Sequence, residues 1–102
     1  MSSLPQYAVR HDVLIEEIDG ECLIVDLARN TAFGLNPTGR LIWRGLEAGE
    51  AVTTITDHLL TLAQRDAPEV TRAQIAADVD GFVSLLLARG LITRAEAGEA
   101  QR

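Results

Sequence analysis

The segment from Phe33 to Gly39 constrains the fold most, because one kind of secondary structure ends in it and another begins. Its first three residues close a short apolar run that is typical of a β-strand. Asn36 is a favourable N-cap, since its side-chain oxygen can accept a hydrogen bond from an unpaired N–H of the first helical turn. Pro37 suits the first helical position, where its φ is already correct and no N–H is needed. The chain therefore divides into a β-rich part before residue 36 and a helical part after it.

The β-rich part predicts a three-stranded antiparallel meander. Val13–Ile18 and Cys22–Leu27 are β-like segments that flank the dipeptide Asp19-Gly20. This dipeptide suits a type I′ turn, in which both central residues have positive φ, and it is a strong hairpin signal. A second turn leads to a third strand, Ala32–Leu35. Because this strand ends the series, we expect it to lie at a sheet edge, where a peptide partner can pair with it.

The helical part predicts three helices. They are expected over residues 37–48, from residue 53 or 54 up to a polar loop at 65–70, and from residue 71 to about residue 89. Thr71 and Gln74 have the spacing of a capping box at the start of the third helix. Gly49 and Gly90 are placed to end the first and third helices, since glycine readily adopts the left-handed conformation found there.

The third helix is apolar over roughly half of its circumference, which is wider than the ~100° stripe of an ordinary surface helix. One stripe consists of Ile75, Val79, Phe82 and Leu86, and a second consists of Ala76, Val83 and Leu87 with Asp80 among them. Two interpretations remain open at this point. The helix is either central and buried along both stripes, or its second stripe lines a groove that receives apolar side chains of a ligand.

Composition restricts the possible partners and the cellular compartment. The net charge is −6 and every basic side chain is an arginine, which disfavours a nucleic-acid partner because phosphate binding depends on accumulated Lys and Arg. The single cysteine, Cys22, excludes an internal disulfide and is interpreted as a buried, inert thiol. No apolar run approaches the ~20 residues needed to cross a bilayer, and the first ten residues lack the apolar stretch of a signal peptide. We therefore expect a cytoplasmic protein without a membrane partner.

One domain is expected from residue 11 to 93, with a flexible N-terminal arm at 1–10 and a flexible tail at 94–102. A chain of 102 residues supports one modest core and not two. The sequence offers no nucleophile–base pair, phosphate loop or metal-ligand cluster. We therefore predict that the protein is not an enzyme and holds no metal or cofactor.

Three stretches of the chain together resemble the PqqD-like family. They are an apolar hairpin, the segment D-L-x-x-N-T-x-F-G-L-N-P-T-G-R-L-I-W at Asp26 to Trp43, and the closing D-V-x-x-F-V-x-x-L-L-x-x-G-L-I at Asp78 to Ile92. The resemblance covers about Val13 to Ile92. It implies an α+β, winged-helix-like fold with a three-stranded antiparallel sheet followed by three helices. It also implies an adaptor that binds the leader segment of a ribosomally synthesised precursor peptide and presents it to a modifying enzyme or protease.

In such domains the leader is added as a strand to the third β-strand and lies against the third helix. Carried onto this sequence, the implied peptide-binding residues are Thr31, Ala32, Phe33, Gly34 and Leu35 of the strand and Ala76, Asp80, Val83 and Leu87 of the helix. The amino-acid sequence around Asn36-Pro37 resembles that of stand-alone family members in lasso-peptide pathways. A pathway of the pyrroloquinoline quinone (PQQ) type is the other possibility. An open edge strand also permits a homodimer.

The alternative function is that of a winged-helix DNA-binding regulator, which the fold class permits by analogy. The third helix, however, offers Arg72 and Arg89 against Asp78 and Asp80, whereas base readout requires Arg, Lys, Asn or Gln on a basic surface. Leader-peptide binding is therefore the preferred hypothesis.

Overall fold

A three-stranded sheet and three helices form the framework of the protein, and a two-stranded sheet is added to it. The computed structural model describes residues 6–95. Its elements are β1 (Tyr7–Val9), β2 (Val13–Ile18), β3 (Glu21–Asp26), β4 (Thr31–Leu35), α1 (Pro37–Glu47), α2 (Val52–Asp66), α3 (Arg72–Ala88) and β5 (Ile92–Arg94). The predicted α+β fold, with three antiparallel strands followed by three helices, is confirmed. Between residues 6 and 95, no helix has the length and apolar character that crossing a membrane requires.

The three-stranded sheet has the strand order β2-β3-β4, with both pairs antiparallel. Its first turn is the one that Asp19-Gly20 predicts, with φ of 52° and 80° at the two residues. In the second turn, Asn30 takes a positive φ of 54°. Since each strand follows its neighbour through a short turn, β4 lies at the edge of the sheet.

The N-termini of two of the three helices are capped by side chains in the way that the sequence predicts. The Asn36 side chain accepts from the N–H of Gly39, and Thr71 and Gln74 form a complete capping box. Helix α2 differs from the prediction, because it begins at Val52 and no side chain of its own caps it. Its first N–H is bonded instead by the side chain of Gln6 at 2.7 Å. This cap comes from 46 residues away, so the local sequence gives no sign of it.

The expectation of a loose arm over residues 1–10 is corrected for residues 7–9. Strand β1 pairs antiparallel with β5, so that Tyr7 lies opposite Arg94 and Val9 opposite Ile92. The predicted domain limits at 11 and 93 therefore cut through a paired sheet. The expected tail from residue 94 is corrected in the same way for Arg94, which belongs to β5. Residues 1–5 and 96–102, the rest of the predicted arm and tail, lie outside the described residues.

A network centred on Arg10 holds this added sheet to the framework. Its guanidinium donates to Asp12 at 2.9 Å, to Asp26 at 3.0 Å and to the carbonyl of Gly90 at 3.0 Å. Asp26 is only 2% exposed and also accepts from the backbone N–H groups of Ala28 and Arg29. The hydrogen bonds to Asp12 and then to Asp26 raise the pKa of Arg10, and the bond from Arg10 lowers the pKa of Asp12. The network therefore joins β1, the β3–β4 turn and the end of α3.

The core lies between the sheets and the helices and is built mainly from aliphatic side chains. Its fully buried members include Trp43, Ile24, Ile42, Leu86, Leu91, Ile92 and Val79. Trp43 is the largest of them and fills the centre from α1.

Two helical glycines are expected to respond oppositely to substitution by alanine. A Cβ at Gly45 in α1 would lie 2.6 Å from Cγ1 of buried Ile55 in α2, whereas nothing lies within 4 Å of a Cβ at Gly81 in α3. We expect Gly45→Ala to destabilise the protein by about 1–3 kcal/mol because the two helices must separate. Gly81→Ala should stabilise it by about 0.5–1 kcal/mol through helix propensity alone. Urea denaturation of both variants checks the pair, and stabilisation by Gly45→Ala would contradict the close contact between α1 and α2.

Candidate functional site

Strand β4 presents an open edge. Within residues 6–95, its neighbour on one side is β3, and no strand pairs with it on the other. Strand β1 does not cover this edge, because it pairs with β5. The outward-facing N–H and C=O groups of β4 are therefore free to pair with an extended peptide.

The two faces of β4 differ in burial. Phe33 and Leu35 are half-buried and pack against the core, while Thr31, Ala32 and Gly34 are exposed. Phe33 lies opposite Ile24 of β3, and Leu35 lies opposite Cys22. An added strand would continue this alternation, so every second side chain of the peptide would point towards the helices.

Helix α3 approaches β4 at two points, through Phe82 and through Arg89, the residue that follows the helix. Near the end of the strand, Phe82 and Leu35 meet beside Gly39 of α1. The tip of the Phe82 ring and the Leu35 side chain each lie 3.4 Å from the position that a Cβ would occupy if Gly39 were an alanine. Near its middle, the guanidinium carbon of Arg89 lies 4.9 Å from the centroid of the Phe33 ring. The two residues thus mark the side of α3 that borders the strand.

Phe82 and Arg89 share one helical face with Asp78 and Leu85, because the four positions are spaced four, three and four residues apart. We call this face the strand-side stripe of α3. Leu85 is 41% exposed, although it is a large apolar residue. We call the space between β4 and this stripe the cleft. Leu85 is an exposed apolar side chain on its helical side, between Phe82 and Arg89.

The stripe that the sequence predicts for peptide binding lies elsewhere on α3. Ala76, Asp80, Val83 and Leu87 have the same spacing but are displaced by two residues, which at ~100° per residue is about 160° around the helix. Val83 is 4% exposed and belongs to the core. Ala76 and Leu87 are half-buried, and Asp80 is exposed. Phe82 and Arg89 therefore lie beside β4, whereas Val83 and Leu87 of the other stripe pack in or against the core.

A cavity lies between the three helices, and Asp78 of the strand-side stripe is one of the residues that line it. This cavity has a volume of about 230 Å³ and is lined by Thr38, Leu62, Ile75 and Asp78 among others. A second cavity, of about 570 Å³, lies beyond the end of β4 and is lined by Cys22, Leu35, Arg40 and Arg44 among others. An extended ligand longer than β4 thus meets concave surface beyond the Leu35 end of the strand.

The part of the chain that the structure covers offers no group of three or more His, Cys, Asp or Glu residues arranged to hold a metal ion. Cys22 is a free, buried thiol. His58 is exposed and lies 3.9 Å from Glu50.

The fold and the open edge define a winged-helix-like α+β domain. A family model described as coenzyme PQQ synthesis protein D (PqqD) matches residues 21–92, and the chain belongs to this family. The resemblance stated from the sequence is thereby confirmed.

Two solved structures share the fold, both with a TM-score of 0.70. One is described as TbiB1 in complex with the TbiA(beta) leader peptide; it is 26% identical in sequence, and the match covers 87% of this chain and 98% of that one. The other is a lasso peptide synthetase B1 complexed with the leader peptide, at 19% identity, covering 86% of this chain and 98% of that one. A search of curated proteins finds no match. The DNA-binding alternative receives no support from these comparisons.

Proposed function

We propose that this protein binds the leader segment of a ribosomally synthesised precursor peptide and presents the peptide to a modifying enzyme or protease. The leader is added as a strand to β4, along Thr31–Leu35, and its inward side chains lie against the strand-side stripe of α3. The pathway is of the lasso-peptide or PQQ type. The domain acts by binding alone, and the chemistry belongs to its partner enzyme.

The observation that carries this proposal is the open edge of β4 beside a helix face that includes Phe82 and the exposed Leu85. Main-chain hydrogen bonds to such an edge supply affinity, and alternate side-chain pockets supply specificity. Membership of the PqqD family and the similarity to TbiB1, which is described in complex with a leader peptide, support a leader as the ligand.

Moderate affinity follows from the state of the ligand. A free leader is disordered, so part of its interaction free energy is spent on ordering it when it docks. Such a complex releases its peptide readily, as an adaptor that passes a substrate to an enzyme must.

The test is a binding titration with defined peptides. Fluorescein-labelled N-terminal segments of the short open reading frames that flank the gene, together with the TbiA(beta) leader, are titrated with the protein and followed by polarisation. We expect one flanking segment to bind saturably and its scrambled version to bind at least tenfold more weakly. Failure of every flanking segment to bind would overturn the proposal.

Backbone methylation of the peptide separates strand addition from other modes of binding. In an added strand, alternate peptide N–H groups point towards β4. We expect N-methylation at every second residue of the bound segment to abolish binding, whereas methylation of the intervening residues leaves it within about threefold. Equal effects at both sets of positions would contradict strand addition. A homodimer formed through β4 would occupy the same edge, so sedimentation velocity is run with and without peptide.

A further inference from the structure

Arg89 lies beside β4 and has no carboxylate partner among residues 6–95. It is exposed, follows directly after α3, and places its guanidinium over the ring of Phe33. Arg10, Arg40 and Arg72 each form an ion pair with an aspartate or glutamate, whereas Arg89 forms none with any residue from 6 to 95. Among the described arginines, Arg29, Arg44, Arg65 and Arg94 also form no such pair, but Arg89 is the one whose guanidinium lies over a ring of β4.

A second arginine adds positive charge at the same end of the strand. The guanidinium of Arg29, in the turn before β4, donates to the backbone carbonyl of Arg89. The nearby carboxylates of Asp12 and Asp26 are both engaged by Arg10. The Thr31 end of β4 is therefore a local positive site, while its Leu35 end is bordered by Phe82.

The geometry of an added strand fixes which peptide residue meets this site. Peptide residues opposite Leu35, Phe33 and Thr31 all face the helices, because side chains alternate along a strand. The residue opposite Thr31 lies ~7–8 Å diagonally from Phe33, which is within reach of the long arginine side chain above that ring. The residue opposite Leu35 meets the apolar surface around Phe82, four positions away along the peptide.

We infer that Arg89 is a specificity-determining residue that selects a leader peptide with an acidic side chain opposite Thr31, four residues from an apolar side chain opposite Leu35. This inference rests on the proposed function. In an antiparallel addition, which matches the other pairs of this sheet, the acidic residue follows the apolar one in the peptide sequence. A guanidinium on an aromatic face keeps its donors directed sideways, so Arg89 can bond a carboxylate while still covering Phe33.

The test is a double-mutant cycle on the flanking-gene leader that binds in the polarisation assay. Each Asp and Glu of that leader is changed to Asn or Gln, and each peptide is titrated against the wild-type protein and against Arg89→Gln. We expect one acidic position, four residues after an apolar one, to weaken wild-type binding roughly fivefold, as a partly exposed ion pair would. The same peptide change should have no effect on Arg89→Gln, and added NaCl should weaken wild-type binding more than Arg89→Gln binding.

Arg65→Gln serves as the matched control, because Arg65 is exposed at the end of α2. It should bind every peptide like the wild type. Charge exchange, with Arg89→Glu and Lys at the acidic peptide position, should restore binding relative to either single change. If the leader binds but Arg89→Gln leaves its affinity and salt dependence unchanged, the inference is overturned and the proposed function stands. If no leader binds, both fall.

Discussion

Replacing Leu85 with glutamate is expected to weaken leader binding by roughly thirtyfold, or about 2 kcal/mol. Leu85 is a leucine with 41% of its surface exposed, on the strand-side stripe between Phe82 and Arg89. An added strand would bury it, and a carboxylate placed there would have to be desolvated against apolar peptide side chains. The measurement is a polarisation titration with the flanking-gene leader, and urea denaturation checks that the variant folds normally.

Leu14→Glu provides a control with equal exposure. Leu14 is also 41% exposed, but it lies on β2, at the opposite edge of the sheet from β4. It should leave the dissociation constant within twofold of the wild-type value. Asp80→Arg tests the other helix stripe in the same assay and should also have little effect. Loss of binding in Asp80→Arg, with binding retained in Leu85→Glu, would place the peptide on the stripe that contains Ala76 and Leu87.

Replacing Trp43 with alanine is expected to lower the free energy of unfolding by about 3–5 kcal/mol. Trp43 is 0% exposed and is the largest buried side chain, so its truncation leaves a cavity in the centre of the core. A small domain has only ~5–15 kcal/mol of total stability, and a large part of the protein would therefore unfold on modest warming. Urea denaturation followed by far-UV circular dichroism measures the change.

Trp43→Phe is the second variant, and it separates the effect of lost side-chain volume from that of the lost indole group. The indole Nε1–H of Trp43 is buried and has no hydrogen-bond acceptor among the residues of the structure. Phenylalanine retains an aromatic ring and removes this unpaired donor, so its cost should be below about 1.5 kcal/mol. Equal losses for the two variants would mean that the indole group itself, and not the filled volume, stabilises the core.

Local features of the sequence were sufficient to predict the main framework. Asp19-Gly20 predicts its turn because few other dipeptides accept positive φ at both positions. Asn36 and Thr71 predict helix starts because the bonds they form span only three residues. These interactions depend on neighbours in the chain, and they were therefore accessible without coordinates.

The features that the sequence did not predict depend on partners far apart in the chain. Strand β1 exists because it pairs with β5, more than 80 residues later, and a three-residue strand has no periodicity of its own to identify it. The position of the strand-side stripe is a similar case, since Asp78, Phe82, Leu85 and Arg89 have the same helical spacing as the predicted stripe but fewer apolar residues to identify them. Only the rotation of the packed helix decides which one borders β4, and packing is a property of the whole fold.

The pairing of β1 with β5 also has a consequence for how this unit can be joined to other proteins. The N–H of Ala95 donates to the carbonyl of Gln6 at 3.0 Å, so the two ends of the described part of the chain lie side by side. A unit with adjacent entry and exit can be inserted into a surface loop of an enzyme without separating that loop's two ends. The same closeness permits circular permutation, with a short linker joining residues 6 and 95 and new termini opened at an exposed turn such as Asp19-Gly20.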